Sequence, residues 1–244
     1  MDRLDVIQQI IDRIKAKVYL EIGVKKGKVF LNVKARKKIA VDPQIKIGVK
    51  RKIKFLTKNL SNFFNKYYEM TSDRFFEENS YILTKLNGIG VAFIDGLHTY
   101  EQSLKDIRNC LKFLKEDGII VMHDCNPLSE AQAHPATSPE HAANSCPSSW
   151  TGDWSGDVWK TIAFLRSNRE DLNIFVVDCD HGLGIITRGK SEKPLEYSKA
   201  DIDQLSYNDL ERNRVKILNL KPVHYLQKFL RSDFKTSDQV QGPR

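Results

Sequence analysis

Val91-Ala92-Phe93-Ile94 runs into Asp95-Gly96-Leu97-His98, and Gly118-Ile119-Ile120-Val121-Met122 runs into His123-Asp124. Residues 99–115 between them place Leu104, Ile107, Leu111 and Leu114 on one helical face, and Glu116-Asp117-Gly118 reads as the turn into the next strand. A strand, a helix and a strand in that order make a parallel pair. All strands of a parallel sheet point the same way, so polar residues at successive carboxyl ends share one rim. Asp95, His98, His123 and Asp124 therefore gather there. Two carboxylates and two imidazoles suit a metal site, a general base, or both.

The same alternation extends outward. Leu4, Ile7, Ile10, Ile11 and Ile14 predict an opening amphipathic helix over 3–15, followed by the strand Val18-Tyr19-Leu20-Glu21-Ile22. Lys38-Ile39-Ala40-Val41-Asp42-Pro43 reads as a second strand, 47–65 as a basic, partly helical connector, and 67–71 as a third strand. Ser72-Asp73 is expected to cap a helix over 74–79. Residues 125–156 show no periodicity and read as a lid over the pocket, ordered by Trp150 and Trp154 and hinged at 156–160. Asp157 is the expected cap of a helix over 158–166. Strands over 174–178 and 184–187 follow, joined by the tight Asp180-His181-Gly182 turn, so one of them runs antiparallel. Asp180 and His181 read as turn residues, with lining of the acceptor side as the alternative. The prediction is an α/β, doubly wound, seven-stranded, mostly parallel sheet with its last strand antiparallel, filling one domain over 1–190. A helical extension over 191–244 holds helices at 202–218 and 223–230 and ends in a frayed polar tail.

At 244 residues and 41% hydrophobic content, the chain can bury one large core. No apolar run approaches the roughly 20 residues of a membrane span. The start, Met1-Asp2-Arg3-Leu4-Asp5, is unlike a signal peptide, and Cys110, Cys125, Cys146 and Cys179 form no CxxC pair. Both point to reduced thiols in a cytoplasmic protein. Between Arg13 and Lys66 there are 17 Lys or Arg against only Glu21 and Asp42, so the rest of the chain is net acidic. Such a stretch suits nucleic acid, anionic lipid, an acidic substrate, or merely a solvated face.

Glu21-x-Gly23-x-x-x-Gly27 follows the first strand, where glycine permits positive φ and a close backbone approach to a ligand. Asp42 ends the second strand, where an adenosine ribose would meet a carboxylate. The third glycine of a dinucleotide fingerprint is missing, and Lys25, Lys26 and Lys28 crowd the turn. That disfavours NAD and suits a nucleoside without a pyrophosphate. In this order, Glu21-Ile22-Gly23 with Gly27, Val41-Asp42-Pro43 and Thr71-Ser72-Asp73 resemble the motifs of the class I S-adenosylmethionine-dependent methyltransferases. Phe93-Ile94-Asp95-Gly96-Leu97-His98-Thr99-Tyr100-Glu101 and Gly118-Ile119-Ile120-Val121-Met122-His123-Asp124 are similar to a subgroup of small-molecule O-methyltransferases, many acting on sugars or sugar-bearing products. The resemblance covers about 17–190.

It implies S-adenosylmethionine as cosubstrate, contacted by Glu21, Gly23, Gly27, Asp42, Ser72, Asp73 and Asp95. It also implies that His98 is the catalytic base beside Asp95, and that a divalent cation, magnesium or manganese, binds at Asp95, His123 and Asp124. His123 stands where relatives frequently have an acid, and a nitrogen there suits manganese, iron or zinc better than magnesium. His98 capping the following helix, and His123 merely orienting Asp124, remain the structural alternatives. His134, His141 and Cys146 with His123 and Cys125 match no compact zinc module. The expected partner is a small hydroxylated acceptor, a sugar favoured, with a homo-oligomer left open. The competing functions are an RNA or DNA methyltransferase using the basic half, against which no Asn/Asp-Pro-Pro-Tyr element is present, and a nicotinamide-dependent oxidoreductase.

Overall fold

The computed structural model describes residues 1–146, 150 and 152–232. The chain opens with α1 (Arg3–Ile14), β1 (Val18–Ile22), β2 (Lys37–Val41) and α2 (Val49–Lys58). A 3-10 turn (Leu60–Phe64) leads to β3 (Lys66–Tyr68), α3 (Ser72–Glu78), α4 (Tyr81–Lys85), β4 (Ile89–Ile94), α5 (Tyr100–Phe113) and β5 (Leu114–Met122). Then come α6 (Pro139–Ser145), α7 (Trp159–Asn168), β6 (Leu172–Val177) and β7 (Leu183–Arg188). The chain closes with α8 (Lys199–Gln204), α9 (Tyr207–Leu218), β8 (Leu220–Lys221) and α10 (His224–Ser232).

Strand residues alternate between two cores. Leu20, Ile22, Val41, Ala92, Ile94, Ile120 and Met122 face α3, α5 and α7. Tyr19, Ala40, Val91, Phe93, Ile119 and Val121 face α1, whose Val6, Ile7, Ile10 and Ile11 form its buried stripe, and α10. The sheet order is β3-β2-β1-β4-β5-β7-β6-β8. Pairings β1–β2, β1–β4, β2–β3 and β4–β5 are parallel, whereas β7 runs antiparallel to both β5 and β6. The sheet switches direction of winding between β1 and β4, and the carboxyl ends there frame a crevice.

Among the described residues eight strands are present rather than the seven expected. The extra one, β8, pairs Leu220 with Val176 at the β6 edge. Asn219, at φ +47, ends α9 and donates from Nδ2 to the Ile174 carbonyl at 3.0 Å, turning the chain onto the edge. Two residues carry no alternation for a sequence reading to detect. The single helix expected over 202–218 is two, because Ser198 and Ser206 each build a capping box with Asp201 and Asp209.

Other boundaries also shift. Thr71, not Ser72 or Asp73, caps α3 by accepting from the Arg74 amide. Asp157 does not cap α7, which begins at Trp159; its Oδ1 accepts from the Tyr100 amide at 2.7 Å and so ties the start of α5 to the chain just after the segment 125–156. The turn expected at 116–118 is a bulge within β5, whose register against β4 breaks between Ile89 and Val91. The aperiodic segment 125–156 contains α6, started by Ser138 at the cap and Pro139 in the first turn. The frayed tail expected at the chain end lies outside the described residues.

Candidate active site

Backbone hydrogen bonds carry the sheet one residue past its strands. The Asp95 amide donates to the Ile22 carbonyl and the His123 amide to the Ile94 carbonyl, at 2.9 and 3.0 Å. Asp95, His123 and Asp124 thus emerge together at the carboxyl ends of β4 and β5. Asp124 sits at φ +60, an uncommon value for a residue with a side chain. It is held there by the Ser155 hydroxyl, which donates to Oδ1 at 2.7 Å. The β6–β7 turn lies on the same rim, zipped to it by Cys125 and Asn126 amides that donate to the Gly182 and His181 carbonyls.

His98 is positioned from two sides. Its Nδ1 lies 2.7 Å from the Trp154 carbonyl, and its ring stacks on the Trp154 indole with centroids 5.1 Å apart. A carbonyl can only accept, so Nδ1 carries the hydrogen. In the neutral ring the lone pair is then on Nε2. That atom lies 3.5 Å from Asp95 Oδ1 and 3.4 Å from Asp124 Oδ2. The His98 side chain is 23% exposed against 4% for His123, so His98 is the imidazole that solvent and a ligand reach.

His123 works underneath. Its Nδ1 lies 2.7 Å from Asp124 Oδ2 and 3.4 Å from Asp95 Oδ1, and Nε2 lies 3.5 Å from Asp180 Oδ1. Arg3, in the first turn of α1, donates to Asp95 Oδ2 at 2.9 Å and forks onto both oxygens of Asp180 at 2.8 and 2.9 Å. Three carboxylates therefore surround one guanidinium and two imidazoles. Burial alone would raise Asp95, but the hydrogen bonds and charges of His123 and His98 outweigh it and hold it well below the usual carboxylate range. Burial would likewise lower His98. The hydrogen bond to Asp95 and the charges of Asp124 and Asp95 reverse that, and its pKa is raised. Burial would lower His123 too, but its hydrogen bonds to Asp124, Asp180 and Asp95 outweigh that and raise it well above its ordinary value.

Arg3 is the residue sequence reasoning missed, and Asp180, read first as a turn residue, joins it in the cluster. No local pattern marks either one: an arginine in a first helical turn and an aspartate in a tight turn both have ordinary explanations. Only the fold joins positions 177 residues apart.

The residues expected to contact the cosubstrate begin at the end of β1. Gly23 has φ +88, and a Cβ built on it would come within 1.8 Å of the Asp95 carbonyl oxygen. Only glycine lets β1 and β4 approach so closely. Asp42 accepts from the amides of Lys25 and Gln44 at 2.7 and 2.6 Å, one on each oxygen, which leaves each oxygen a further lone pair. Gly27 packs against Ile47. Ser72 and Asp73 are tied to α5, since Gln102 Nε2 donates to both and Lys105 pairs with Asp73 at 2.6 Å.

Glu21 is 2% exposed and accepts from the Tyr19 hydroxyl at 2.5 Å. Burial pushes its pKa up to about 8, so it is protonated at neutral pH. Folding then binds a proton that the unfolded chain releases near pH 4.5, and stability falls as pH rises from there toward 8. Glu21→Gln should flatten that dependence and unfold at a higher denaturant midpoint than the wild type at pH 8, by about 1 kcal/mol or more. Parallel midpoint-against-pH curves for the two proteins would contradict the assignment.

Among the described residues, the carboxylate, imidazole and thiol donors that converge to within 4.8 Å are Asp95, His98 and Asp124. His123, expected in the metal set, instead bridges the carboxylates. His134 bonds Ser145 and His141 bonds Thr137, so these histidines do not join a zinc-like group with Cys146.

Residues 20–125 match a family model described as a methyltransferase domain. No curated protein matches the chain. Among solved structures, cofactor-bound Rv0187 from MTB superposes with a TM-score of 0.55 at 11% identity, over 77% of this chain and 81% of that one. The O-methyltransferase TomG from Streptomyces achromogenes, solved with SAM, gives 0.52 at 10% identity, over 76% and 79%. The SAH-bound methyltransferase PaMTH1 of Podospora anserina gives 0.52 at 19%, over 76% of each chain. A sheet with β7 reversed beside β5, glycines and an acid at the ends of β1 and β2, and the matched segment agree: residues 20–125 are similar to a methyltransferase domain, and the chain shares the fold of these methyltransferase structures.

Proposed function

We propose that this protein transfers a methyl group from S-adenosylmethionine to a hydroxyl of a small molecule, with a sugar or glycosylated metabolite as the favoured acceptor. The observation that carries the reading is the tautomer of His98: Nδ1 is committed to the Trp154 carbonyl, which leaves Nε2 as the base. The acceptor oxygen attacks the sulfonium methyl in line, the carbon–sulfur bond breaks, and the hydroxyl proton moves to Nε2. Asp95 and Asp124 on either side of Nε2 stabilise the resulting imidazolium. Arg3 and His123 keep those carboxylates ionised and oriented. The ligands of TomG and PaMTH1 support the choice of donor, and the Trp154 indole beside His98 supports a ring-bearing acceptor. Gly23, Gly27, Asp42, Ser72 and Asp73 would meet the donor, with Glu21 buttressing the β1 end from beneath. The methyltransferase match stands against hydride transfer.

A second reading rests on the convergence of Asp95, His98 and Asp124. Two carboxylates and an imidazole fit manganese, iron or zinc better than magnesium, whose site favours oxygen alone. A bound cation would lower the acceptor hydroxyl's pKa and orient it. His98 would then be a ligand rather than the base.

Calorimetry with S-adenosylmethionine and S-adenosylhomocysteine tests the donor, and binding of neither would sink the proposal. Turnover is then measured in a chelator and with added manganese. The base reading expects activity to survive the chelator, whereas complete loss restored by manganese assigns His98 to the metal.

A further inference from the structure

Between Pro43 and Tyr68 the chain carries seven Lys or Arg and no Asp or Glu. The lysines and arginine of this stretch make none of the rim contacts described above. Its helix, α2, buries none of its residues. Val49 and Ile53, one turn apart, stand out at 72% and 58% exposure. At helical spacing, Lys50, Lys54 and Lys58 form one flank of that apolar ridge and Lys52 lies on the other. The 3-10 turn that follows adds Leu60, Phe63 and Phe64 at 72%, 64% and 60%.

These side chains are held outward by a buried polar joint. Asn59 Nδ2 donates to the Val33 carbonyl at 2.9 Å, and Asn62 Nδ2 donates to the carbonyls of Leu31 and Phe55 at 3.0 Å each. Lys38 Nζ, fully buried, donates to Asn62 Oδ1 and to the carbonyls of Phe30 and Val33. The display is thus built into the core rather than left to a loose loop. Beside it, the Lys37 ammonium lies 4.3 Å from the Phe64 ring centroid. A cavity of about 470 Å³ opens there, lined by Lys37, Lys66 and Lys85 together with Phe64, Ile82 and Leu86.

Exposed apolar groups interleaved with cations, on a stretch of chain without acids, match one environment well: the boundary between anionic headgroups and acyl chains. A nucleic-acid surface would explain the lysines and could use the phenylalanines, but Val49, Ile53 and Leu60 offer bases no ring to stack on. We infer that α2 and the turn after it seat this protein on an anionic lipid surface. The apolar tips enter the interface, the lysines lie among headgroup phosphates, and the cavity beside Phe64 accepts one headgroup. Among the described residues no helix is long and apolar enough to cross a membrane, so the attachment is peripheral.

Sedimentation of the full chain with vesicles tests the inference. Vesicles of phosphatidylcholine containing phosphatidylglycerol should carry the protein down, pure phosphatidylcholine should not, and high salt should release it. The triple variant Ile53→Ser, Phe63→Ser, Phe64→Ser should partition at least about tenfold more weakly. Lys50→Glu with Lys54→Glu and Lys58→Glu should abolish sedimentation. Both variants should melt with the wild type, because every altered side chain is exposed. Failure of the wild type to bind anionic vesicles overturns the inference. So does vesicle binding that the serine variant retains in full, or a dimer in light scattering that Ile53→Ser dissociates. A gel shift with RNA stronger than the vesicle binding would reassign the face to nucleic acid.

Discussion

His98→Ala should lower turnover by about 10²- to 10⁴-fold, the usual worth of a positioned general base, while S-adenosylhomocysteine affinity stays within about twofold of the wild type. The imidazole meets the rim through Nε2 and its backing through Nδ1, so truncation removes the proton acceptor without touching Gly23 or Asp42. Titration gives an independent signature. His98 must be neutral to act, and its pKa lies above its ordinary 6.5 because Asp95 and Asp124 favour the charged ring more than burial opposes it. Turnover should therefore rise with pH along a limb displaced above 6.5. Asp124→Asn should move that limb toward acid, since one of the flanking charges is gone. His98 and His123 share the same carboxylates, so the limb reports the cluster rather than a single ring. Equal losses of turnover and of donor affinity in His98→Ala would place His98 in the cosubstrate site and end its assignment as the base.

Gly23→Ala should cost about 3 kcal/mol of stability, combining a left-handed backbone that alanine resists with overpacking of a full site. The added methyl would lie 1.8 Å from the Asp95 carbonyl oxygen and 2.3 Å from its carbon, both backbone atoms that no rotamer change can move aside. Relief requires the ends of β1 and β4 to part. That movement shifts Asp95, and with it the ion pairs to Arg3 and His123, so turnover should fall together with the denaturant midpoint. An alanine variant with unchanged midpoint and unchanged donor affinity would show that the approach of the two strands is looser than described.

The rim was legible in the sequence for a simple reason. Asp95, His123 and Asp124 are strand-terminal, and a parallel sheet sends every carboxyl end to the same side. The glycine turn after β1, the acid after β2 and the reversed strand near the end were likewise local signals. The cap of α5 is Thr99, whose hydroxyl accepts from the Gln102 amide, rather than His98. Less was legible where partners come from far along the chain. Glu21 belongs by spacing to a ligand-binding turn, yet its side chain lies under Tyr19 in the core. Asp157 precedes α7, but its carboxylate accepts from the Tyr100 amide at the start of α5, 57 residues away in sequence.

By itself the sequence determined the doubly wound class, the rim and the residue types on it, since each depends on short-range periodicity and strand direction. Tertiary structure alone decided which of the two imidazoles faces outward, which nitrogen carries its hydrogen, and how three carboxylates are balanced. Those outcomes depend on Trp154, 56 residues from His98, and on Arg3, 92 residues from Asp95 and 177 from Asp180. Charge pairing and hydrogen-bond direction are set by distance in space, and no local pattern encodes it.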